Sequence, residues 1–408
     1  MHEKVFSYAH PFIIARVYMS SLRSDLEKEG FSLPEVSRSN LEVAKEVAEG
    51  GGSLIGKHKA KRFFLVIDGL GYDLLNMAMD KSQVLSKVFS DAKIEKIKTM
   101  FPSFTPSVMT SIDSGLTIAE HGIVGSPIPM KEYGNMLDVF NVPWGPSLDE
   151  ALGKTDKYPI FPEMHTLIKM SRHKGFLYLQ HENILNKGRN LNALHKINYD
   201  KYISMDDMII QVLKAIKPNS KETIYSYIDY VDHAQHVYTK STYDGLEITK
   251  YALERLAEKL IPALKQKGWE IVITSDHGQG SFNEKDLRKI SPQSKVMENL
   301  TTYPWGTHRS MFFNVVDGKG KLFEDEFQRS YGKSAYLADS DEAIRSGLFG
   351  KSQVSNWLRY RFGTHIAIAK GNSFLYYKYP DKKDYEKKIF GHHGGMSKGE
   401  MEIPLVVM

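Results

Sequence analysis

Two aspartates and two histidines lie close together near the middle of the chain. If this segment is helical, Asp232 and His236 lie four residues apart on one face, and so do Asp229 and His233. Carboxylate and imidazole groups in such pairs are ligands for divalent cations. An ordinary hydrogen-bonded Asp–His pair is the alternative. From these residues alone, both pairs are candidate metal ligands.

Three other segments carry ligand-type side chains. Asp68 follows an apolar run, the adjacent Asp276 and His277 follow another, and His393 lies beside glycines near the end of the sequence. A polar turn is the alternative for each. The chain has no cysteine, so a metal site must use nitrogen and oxygen ligands, and a thiol nucleophile is excluded. These residues outnumber the four ligands of a structural zinc site, and therefore indicate two catalytic cations.

The segment Ser103–Ser107 contains hydroxyl side chains that could act as a nucleophile. Thr105 followed by Pro106 is typical of a helix start, so a capping role is the simplest interpretation. The same position has a second use, because unpaired N–H groups at a helix start attract anions. A phosphoryl group held there would lie beside the Thr105 hydroxyl, which is then a candidate nucleophile.

The segments that must position these residues alternate between strand and helix patterns. Continuous apolar runs predict strands buried on both faces, and amphipathic stretches between them, such as Met205–Ile216 and Tyr243–Lys267, predict helices. This alternation favours an α/β fold with a mostly parallel central sheet flanked by helices. In such sheets functional groups gather beyond the carboxyl ends of the strands. The predicted strands are Phe63–Ile67, Phe176–Leu179, Ile224–Ile228, Ile271–Thr274 and the terminal Ile403–Met408.

The 408 residues suffice for a large catalytic domain with additions. We predict an N-terminal helical extension over residues 1–60 that mediates self-association. A catalytic domain over 61–408 follows, with an inserted cap subdomain at about 283–390. The net charge of +5 is spread along the chain, so no nucleic-acid arm is expected. Apolar runs are strand-length and no signal peptide is recognised, which predicts a cytoplasmic protein without a membrane segment.

The order of these motifs resembles the type I phosphodiesterase and nucleotide pyrophosphatase family of the alkaline phosphatase superfamily. The resemblance runs from about residue 61 to 408 and implies an alkaline-phosphatase-like core. It rests on Asp68-Gly69, Phe101–Thr105, Ser114-Gly115, His121–Ile123, Asp232–His236, Asp276–Gly278 and His393–Gly395.

The resemblance also implies the role of each site residue. The first cation is expected on Asp68, Thr105, Asp276 and His277, and the second on Asp232, His236 and His393. Zinc is the favoured ion, with manganese and iron as alternatives. The family spacing selects Thr105 over Thr99 as the nucleophile, and it favours Asp232 with His236 over Asp229 with His233.

Two departures from the family pattern concern the substrate. Ser126 stands where nucleotide-cleaving relatives often have an asparagine that binds a phosphoryl oxygen. Pro106 stands where some relatives have a base-stacking aromatic residue, so a nucleotide preference cannot be inherited. Arg309 and His308 in the cap segment are further candidate substrate contacts, with a surface ion pair as the alternative for the arginine.

These observations predict a metal-dependent hydrolase of phosphodiester or pyrophosphate bonds that acts on a small phosphorylated substrate. Hydrolysis of phosphomonoesters or of phosphonates is the alternative within the superfamily, because the same two cations serve all three reactions. A non-catalytic module that binds metal or phosphate is the alternative from another class. The intact hydroxyl of Thr105 argues against it.

Overall fold

The computed structural model describes residues 21–57, 61–131, 135–139, 161–182, 196–216, 222–379 and 390–408. Within them the chain alternates between strands and helices. The strands are β1 (Arg62–Ile67), β2 (Lys93–Lys98), β3 (Ile128–Met130), β4 (Asn135–Leu137), β5 (Leu177–His181), β6 (Tyr199–Tyr202), β7 (Thr223–Ile228), β8 (Glu270–Thr274), β9 (Gly280–Ser281), β10 (Leu287–Ile290), β11 (Trp305–Gly306), β12 (Ser310–Phe313), β13 (Ala335–Asp339), β14 (His365–Ala369), β15 (Phe374–Tyr377), β16 (Gly391–His392) and β17 (Glu402–Val407).

The helices vary from one turn to more than three turns. A π-helical turn, Leu256–Leu260, joins the helices Tyr243–Arg255 and Ile261–Gln266 into one continuous helix. The helices are α1 (residues 21–28), α2 (Asn40–Glu49), α3 (Tyr72–Asp80), α4 (Gln83–Val88), α5 (Thr105–Ser114), α6 (Ile118–His121), α7 (His165–Met170), α8 (Met205–Ala215), α9 (Tyr230–Tyr238), α10 (Tyr243–Arg255), α11 (Ile261–Gln266), α12 (Gly320–Tyr331), α13 (Ser340–Arg345) and α14 (Lys398–Met401).

A seven-stranded sheet with the order β2-β17-β8-β1-β7-β5-β6 forms the centre of the molecule. The neighbours from β8 to β6 are all parallel, whereas β17 runs antiparallel to both β8 and β2. The predicted mostly parallel sheet is confirmed. The four internal predicted strands correspond to β1, β5, β7 and β8, and the predicted terminal strand is β17.

Both faces of this sheet are covered, and β1 shows how. Phe64 and Val66 join a core cluster with α2, α5 and α7, while Phe63, Leu65 and Ile67 join the cluster formed with α3, α8 and α10. Alternate side chains of a strand point to opposite faces, so a strand between two helical layers must be apolar throughout. This burial makes β1 a rigid support for the residue that follows it.

The N-terminal segment packs against the same core as the sheet. Leu22 and Leu26 from α1, and Leu41 and Val47 from α2, belong to the cluster that includes Phe64. Residues 1–20 of the predicted helical extension lie outside the described residues. Self-association through this extension, and the boundary at residue 60, stay predictions.

The cap segment, residues 283–390, contains a second sheet of order β11-β12-β14-β13. Phe313 from β12 packs with Phe323 and Phe327 of α12 in a separate core cluster. Phe312, the preceding residue of the strand, faces the main core instead. Trp305 of β11 and Ile366 of β14 belong to the main core as well. The cap segment is therefore packed onto the main body through several strands of this sheet, although its boundaries as a subdomain stay predictions. In the described part of the chain, no helix is long and apolar enough to cross a membrane.

Candidate metal centre

The predicted ligands come from neighbouring strand ends at one edge of the sheet. Asp68 follows β1 directly, and the adjacent Asp276 and His277 follow β8, the parallel neighbour of β1. The helix α9 begins two residues after β7, on the other side of β1, and it carries Asp232 and His236. Parallel strands end at the same edge, so residues distant in sequence meet there.

The remaining ligand arrives from the C-terminal loop. His393 follows β16, which pairs with β9 just beyond the Asp276–His277 turn. Ser103 ties this loop to the start of α5, because its hydroxyl donates to the carbonyl of Gly395 at 2.7 Å and accepts from the amide of Gly394 at 3.1 Å. The loop is thus held against the segment that contains Thr105.

The first group of side chains surrounds the imidazole of His277. Its Nε2 lies 2.9 Å from Oγ1 of Thr105, 3.3 Å from Oδ1 of Asp68 and 3.4 Å from Oδ2 of Asp276. Asp68, Asp276 and His277 are buried, while Thr105 is partly exposed. All four residues predicted for the first cation therefore meet around this nitrogen.

The second group of side chains surrounds Asp232. Its Oδ2 lies 3.2 Å from Nε2 of His236, and its Oδ1 lies 3.7 Å from Nε2 of His393. The ligand atoms of these three residues lie within 4.8 Å of one another, as do those of Asp68, Asp232 and His277. Because Asp232 belongs to both sets, the two groups form one continuous cluster. His277 and His393 stack across it, with ring centroids 3.6 Å apart.

All three imidazoles are oriented by backbone carbonyl groups. Nδ1 of His236 lies 2.7 Å from the oxygen of Gly391, Nδ1 of His393 lies 3.0 Å from that of Ser103, and Nδ1 of His277 lies 3.1 Å from that of Gly278. A carbonyl can only accept, so each Nδ1 carries a proton and each Nε2 is directed at the cluster. This outer support is typical of metal-binding histidines.

Two of the three carboxylates, Asp68 and Asp276, carry an unbalanced negative charge. Burial opposes the charged form of Asp232 as well, but the adjacent His236 outweighs it and lowers the pKa of Asp232. Burial, together with the charges of Asp276 and Asp232, raises the pKa of Asp68 well above its ordinary value. Burial and the charge of Asp232 likewise raise the pKa of Asp276 to about 6. Oδ1 of Asp68 and Oδ2 of Asp276 are buried without a hydrogen-bond partner. Orphaned carboxylate oxygens aimed at one point fit a divalent cation.

The histidines differ in how readily they accept a cation. Burial lowers the pKa of His277 to about 4 and that of His393 to about 3, so both imidazoles are neutral at pH 7. Burial also opposes the charged form of His236, but the adjacent Asp232 outweighs it and raises the pKa of His236. Neutral imidazole is the form that binds metal.

The favoured residues, His236 and Thr105, lie in the cluster, whereas their alternatives, His233 and Thr99, do not present side-chain atoms to it. His233 lies on the exposed side of α9, away from the cluster that contains His236. Thr99 follows β2 and is buried, and its hydroxyl donates to the backbone oxygen of Asp276. Thr105, by contrast, presents its hydroxyl to the cluster. It is the first residue of α5 with Phe104 at the N-cap, one residue earlier than the predicted helix start.

The predicted substrate contacts are engaged elsewhere in this structure. The Ser126 hydroxyl donates to Oδ1 of Asp138 at 2.7 Å. Arg309 is fully buried, and its guanidinium donates to both carboxylate oxygens of Glu400, at 3.0 Å and 2.8 Å. This is the ion pair held as the alternative for Arg309, although it is buried and not at the surface. His308 packs its ring on Phe374, with centroids 4.4 Å apart.

Two residues that hydrogen-bond to the predicted ligands were not predicted from the sequence. Tyr227 on β7 donates its hydroxyl to Oδ2 of Asp68, and Gln279 donates its amide to Oδ1 of Asp232. A buried tyrosine needs a hydrogen-bond partner, so its place in a buried strand one residue from that strand's end was an available signal. Gln279 lies two residues after His277 in the same glycine-bounded turn.

An α/β fold with carboxylates and imidazoles clustered beside a hydroxyl group favours the class of metal-dependent hydrolases. The family description "Type I phosphodiesterase / nucleotide pyrophosphatase" matches residues 63–140 and 177–396, which is more than half of the chain. The chain belongs to this family and is a hydrolytic enzyme of it. No curated protein matches the sequence significantly.

Solved structures share the fold at low sequence identity. Murine ectonucleotide pyrophosphatase/phosphodiesterase 5 is 13% identical with a TM-score of 0.60, and the match covers 85% of this chain and 87% of that one. An inactive threonine-to-alanine variant of the murine protein, in complex with AMP, has a TM-score of 0.59 at 13% identity, with 85% and 88% covered. Phosphonoacetate hydrolase from Sinorhizobium meliloti 1021, in complex with phosphonoformate, is 17% identical with a TM-score of 0.61, with 85% and 89% covered.

Replacing Asp276 by Asn should stabilise the metal-free protein at neutral pH. The folded-state pKa of about 6 lies above the ordinary value of 3.8, so the ionised carboxylate reduces stability above about pH 6, and this cost vanishes below about pH 4. We expect the free energy of unfolding to rise by about 1–3 kcal/mol at pH 7 and to change little at pH 4. Urea unfolding with a chelator present measures it.

The matched control is Asp325→Asn on the exposed face of α12. A surface change of this kind should stay within about 0.5 kcal/mol at both pH values. A loss of stability in Asp276→Asn at pH 7 would contradict the assigned repulsion among the buried carboxylates.

Proposed function

We propose that this chain hydrolyses phosphodiester or pyrophosphate bonds with two divalent cations and with Thr105 as the nucleophile. One observation carries the proposal. Three imidazoles, each anchored through Nδ1 to a backbone oxygen, turn their Nε2 atoms towards three carboxylates, and the Thr105 hydroxyl lies 2.9 Å from one of these nitrogens. A purely structural polar cluster would not need a partly exposed hydroxyl at its centre.

The cluster offers two neighbouring groups of ligand-type side chains, one for each cation. We assign one to Asp68, Thr105, Asp276 and His277, and the other to Asp232, His236 and His393. The mixed carboxylate and imidazole ligands suit zinc, with manganese and iron as the other candidates. When bound, two such ions supply positive charge at both ends of the phosphoryl group and lower the pKa of a coordinated hydroxyl.

The helix α5 contributes to the binding of the phosphoryl group. Thr105 is its first residue, and the N-cap Phe104 supplies no side-chain hydrogen bond to the first turn. Backbone N–H groups at an uncapped helix start attract an anion, so the phosphoryl oxygens lie against them. The Thr105 oxygen attacks phosphorus in line and loses its proton to solvent, while the bond to the leaving oxygen breaks on the opposite side. Water then hydrolyses the phosphothreonine, which releases the phosphoryl product and restores the hydroxyl. Phe104 stacks on His393, with centroids 5.9 Å apart, and this contact orients both.

The relatives support two parts of this proposal. The inactive threonine-to-alanine variant of the murine relative, with AMP bound, supports a threonine nucleophile and a phosphate-containing substrate. The phosphonoacetate hydrolase structures, with phosphonoformate or phosphonoacetate bound, favour phosphonate hydrolysis as a second candidate function. The roles of Ser126 and Arg309 as substrate contacts stay predictions, since both are hydrogen-bonded to carboxylates here. The cytoplasmic location also stays a prediction.

Replacing Thr105 by Ala should lower kcat by about 1,000-fold or more, because the attacking oxygen is lost. The change removes a partly exposed hydroxyl, so the folded structure should persist. Steady-state hydrolysis of bis-nitrophenyl phosphate, with metal content measured in parallel, checks both points. Thr105→Ser is the matched control, and it should retain a measurable part of the activity. Near wild-type turnover by Thr105→Ala would reject the nucleophile assignment.

Replacing His236 by Ala should remove one of two bound cations per chain, because its Nε2 is one of three ligands of the second site. The matched control is His233→Ala on the same helix, where the ring is exposed to solvent. It should leave the metal content unchanged. Elemental analysis after dialysis against zinc gives the stoichiometry. Loss of a cation from His233→Ala, and not from His236→Ala, would transfer the site to the Asp229–His233 pair.

A panel of substrates should separate the candidate reactions. We expect the kcat/KM for bis-nitrophenyl phosphate to exceed those for nitrophenyl phosphate and phosphonoacetate by about 10-fold or more. Each tenfold step corresponds to ~1.4 kcal/mol of transition-state stabilisation. Each assay includes a chelator-treated sample that should be inactive. A reversed order would assign monoester or phosphonate hydrolysis. Tight phosphate binding without turnover under any divalent metal would indicate a non-catalytic module.

A further inference from the structure

A buried asparagine from the N-terminal segment contacts the turn Ser275–His277, which carries the predicted ligands Asp276 and His277. Asn40, the first residue of α2, has no exposed surface. Its side-chain nitrogen lies 2.9 Å from the backbone oxygen of Ser275 and 3.0 Å from that of Asp276. It also lies 3.1 Å from Oγ1 of Thr99. An amide from outside the matched family region thus directs its donors to the turn that carries two predicted ligands.

These backbone oxygens need a donor because the sheet does not provide one. The strand β8 ends at Thr274, and the chain then leaves the ladder while Ser275, Asp276 and His277 stay fully buried. A buried carbonyl without a partner costs about 1–3 kcal/mol. The side chain of Asn carries two N–H donors, which suits the two consecutive carbonyls.

Thr99 gives the backbone oxygen of Asp276 a second hydrogen bond. Its hydroxyl donates to the same oxygen of Asp276, and its amide donates to the oxygen of Met401 at 2.9 Å. The Asp276 carbonyl therefore receives two hydrogen bonds, one from α2 and one from the end of β2. This carbonyl belongs to the peptide that joins Asp276 to His277, so its direction sets the directions of both ligand side chains.

We propose that Asn40, together with Thr99, is a positioning residue that holds the Asp276–His277 peptide in the orientation needed to bind the first cation. The inference rests on the metal site of the proposed function. It gives the N-terminal segment a role in metal affinity in addition to its place in the hydrophobic core. The segment is therefore part of the catalytic unit, and a chain that lacks it would not hold the first cation properly.

The test measures zinc affinity in full-length variants by competition with a chromophoric chelator. Asn40→Asp keeps the shape but replaces the donors with an oxygen that repels both carbonyls. We expect one of the two dissociation constants to increase by about 10-fold or more, the size of effect found for outer-shell partners, and the other to stay within about twofold. Asn299→Asp is the matched control, because Asn299 is also buried and donates to a backbone carbonyl, that of Lys295, in the cap segment.

Background variants show which cation is affected. In His236→Ala, which retains only the first cation, Asn40→Asp should still weaken zinc binding. In Asp276→Asn, which disables the first site, it should have no further effect, because coupled residues are non-additive. A purely structural role would weaken binding equally in both backgrounds, as would general destabilisation.

Each outcome is decisive. Folded Asn40→Asp with both affinities unchanged overturns the inference, while two cations in the wild type preserve the proposed function. If Asn40→Asp does not fold, Thr99→Val removes the second donor with little change of shape, and an unchanged affinity there overturns the inference instead. A wild-type chain that binds no zinc or manganese removes both proposals.

Discussion

The repulsion that the buried carboxylates of Asp68 and Asp276 experience beside the charge of Asp232 is the constraint around which this enzyme is built. Asp68 and Asp276 are buried, Asp232 is mostly so, and an oxygen atom of each of the first two has no hydrogen-bond partner. Such an arrangement is costly in the folded chain unless positive charge enters it. The raised pKa values of Asp68 and Asp276 express that cost, and the neutral imidazoles of His277 and His393 are the ligands that a cation needs.

The remainder of the fold opposes this repulsion with rigid supports. The strands β1, β7 and β8 are buried along their length and covered on both faces, so their ends cannot retreat from one another. The C-terminal loop is fixed by Glu400, whose carboxylate accepts from the amides of Gly395 and Ser397 and from Arg309. A buried ion pair of this kind contributes geometry more than stability. It places His393 opposite Asp232.

Exposure differs across the cluster and indicates how a substrate approaches. Asp276 and His277 are fully buried, whereas the side chains of His236 and Asp232 are 27% and 15% exposed. Thr105 is also partly exposed. The Thr105 hydroxyl and the two α9 side chains therefore face solvent, while Asp276 and His277 stay shielded. Shielding from water strengthens their electrostatic effect.

The sequence by itself determined the local features of this protein. The apolar runs identified four internal strands and β17, and the motif order identified the family and a ligand set that the structure brings together. These signals are local, because a strand buried on both faces must be apolar along its length. Only the tertiary structure decided that β17 inserts antiparallel between β2 and β8, that Arg309 pairs with Glu400, and that Asn40 lies beneath Asp276. Those contacts join residues far apart in the chain, and nothing in the sequence around either partner specifies the other.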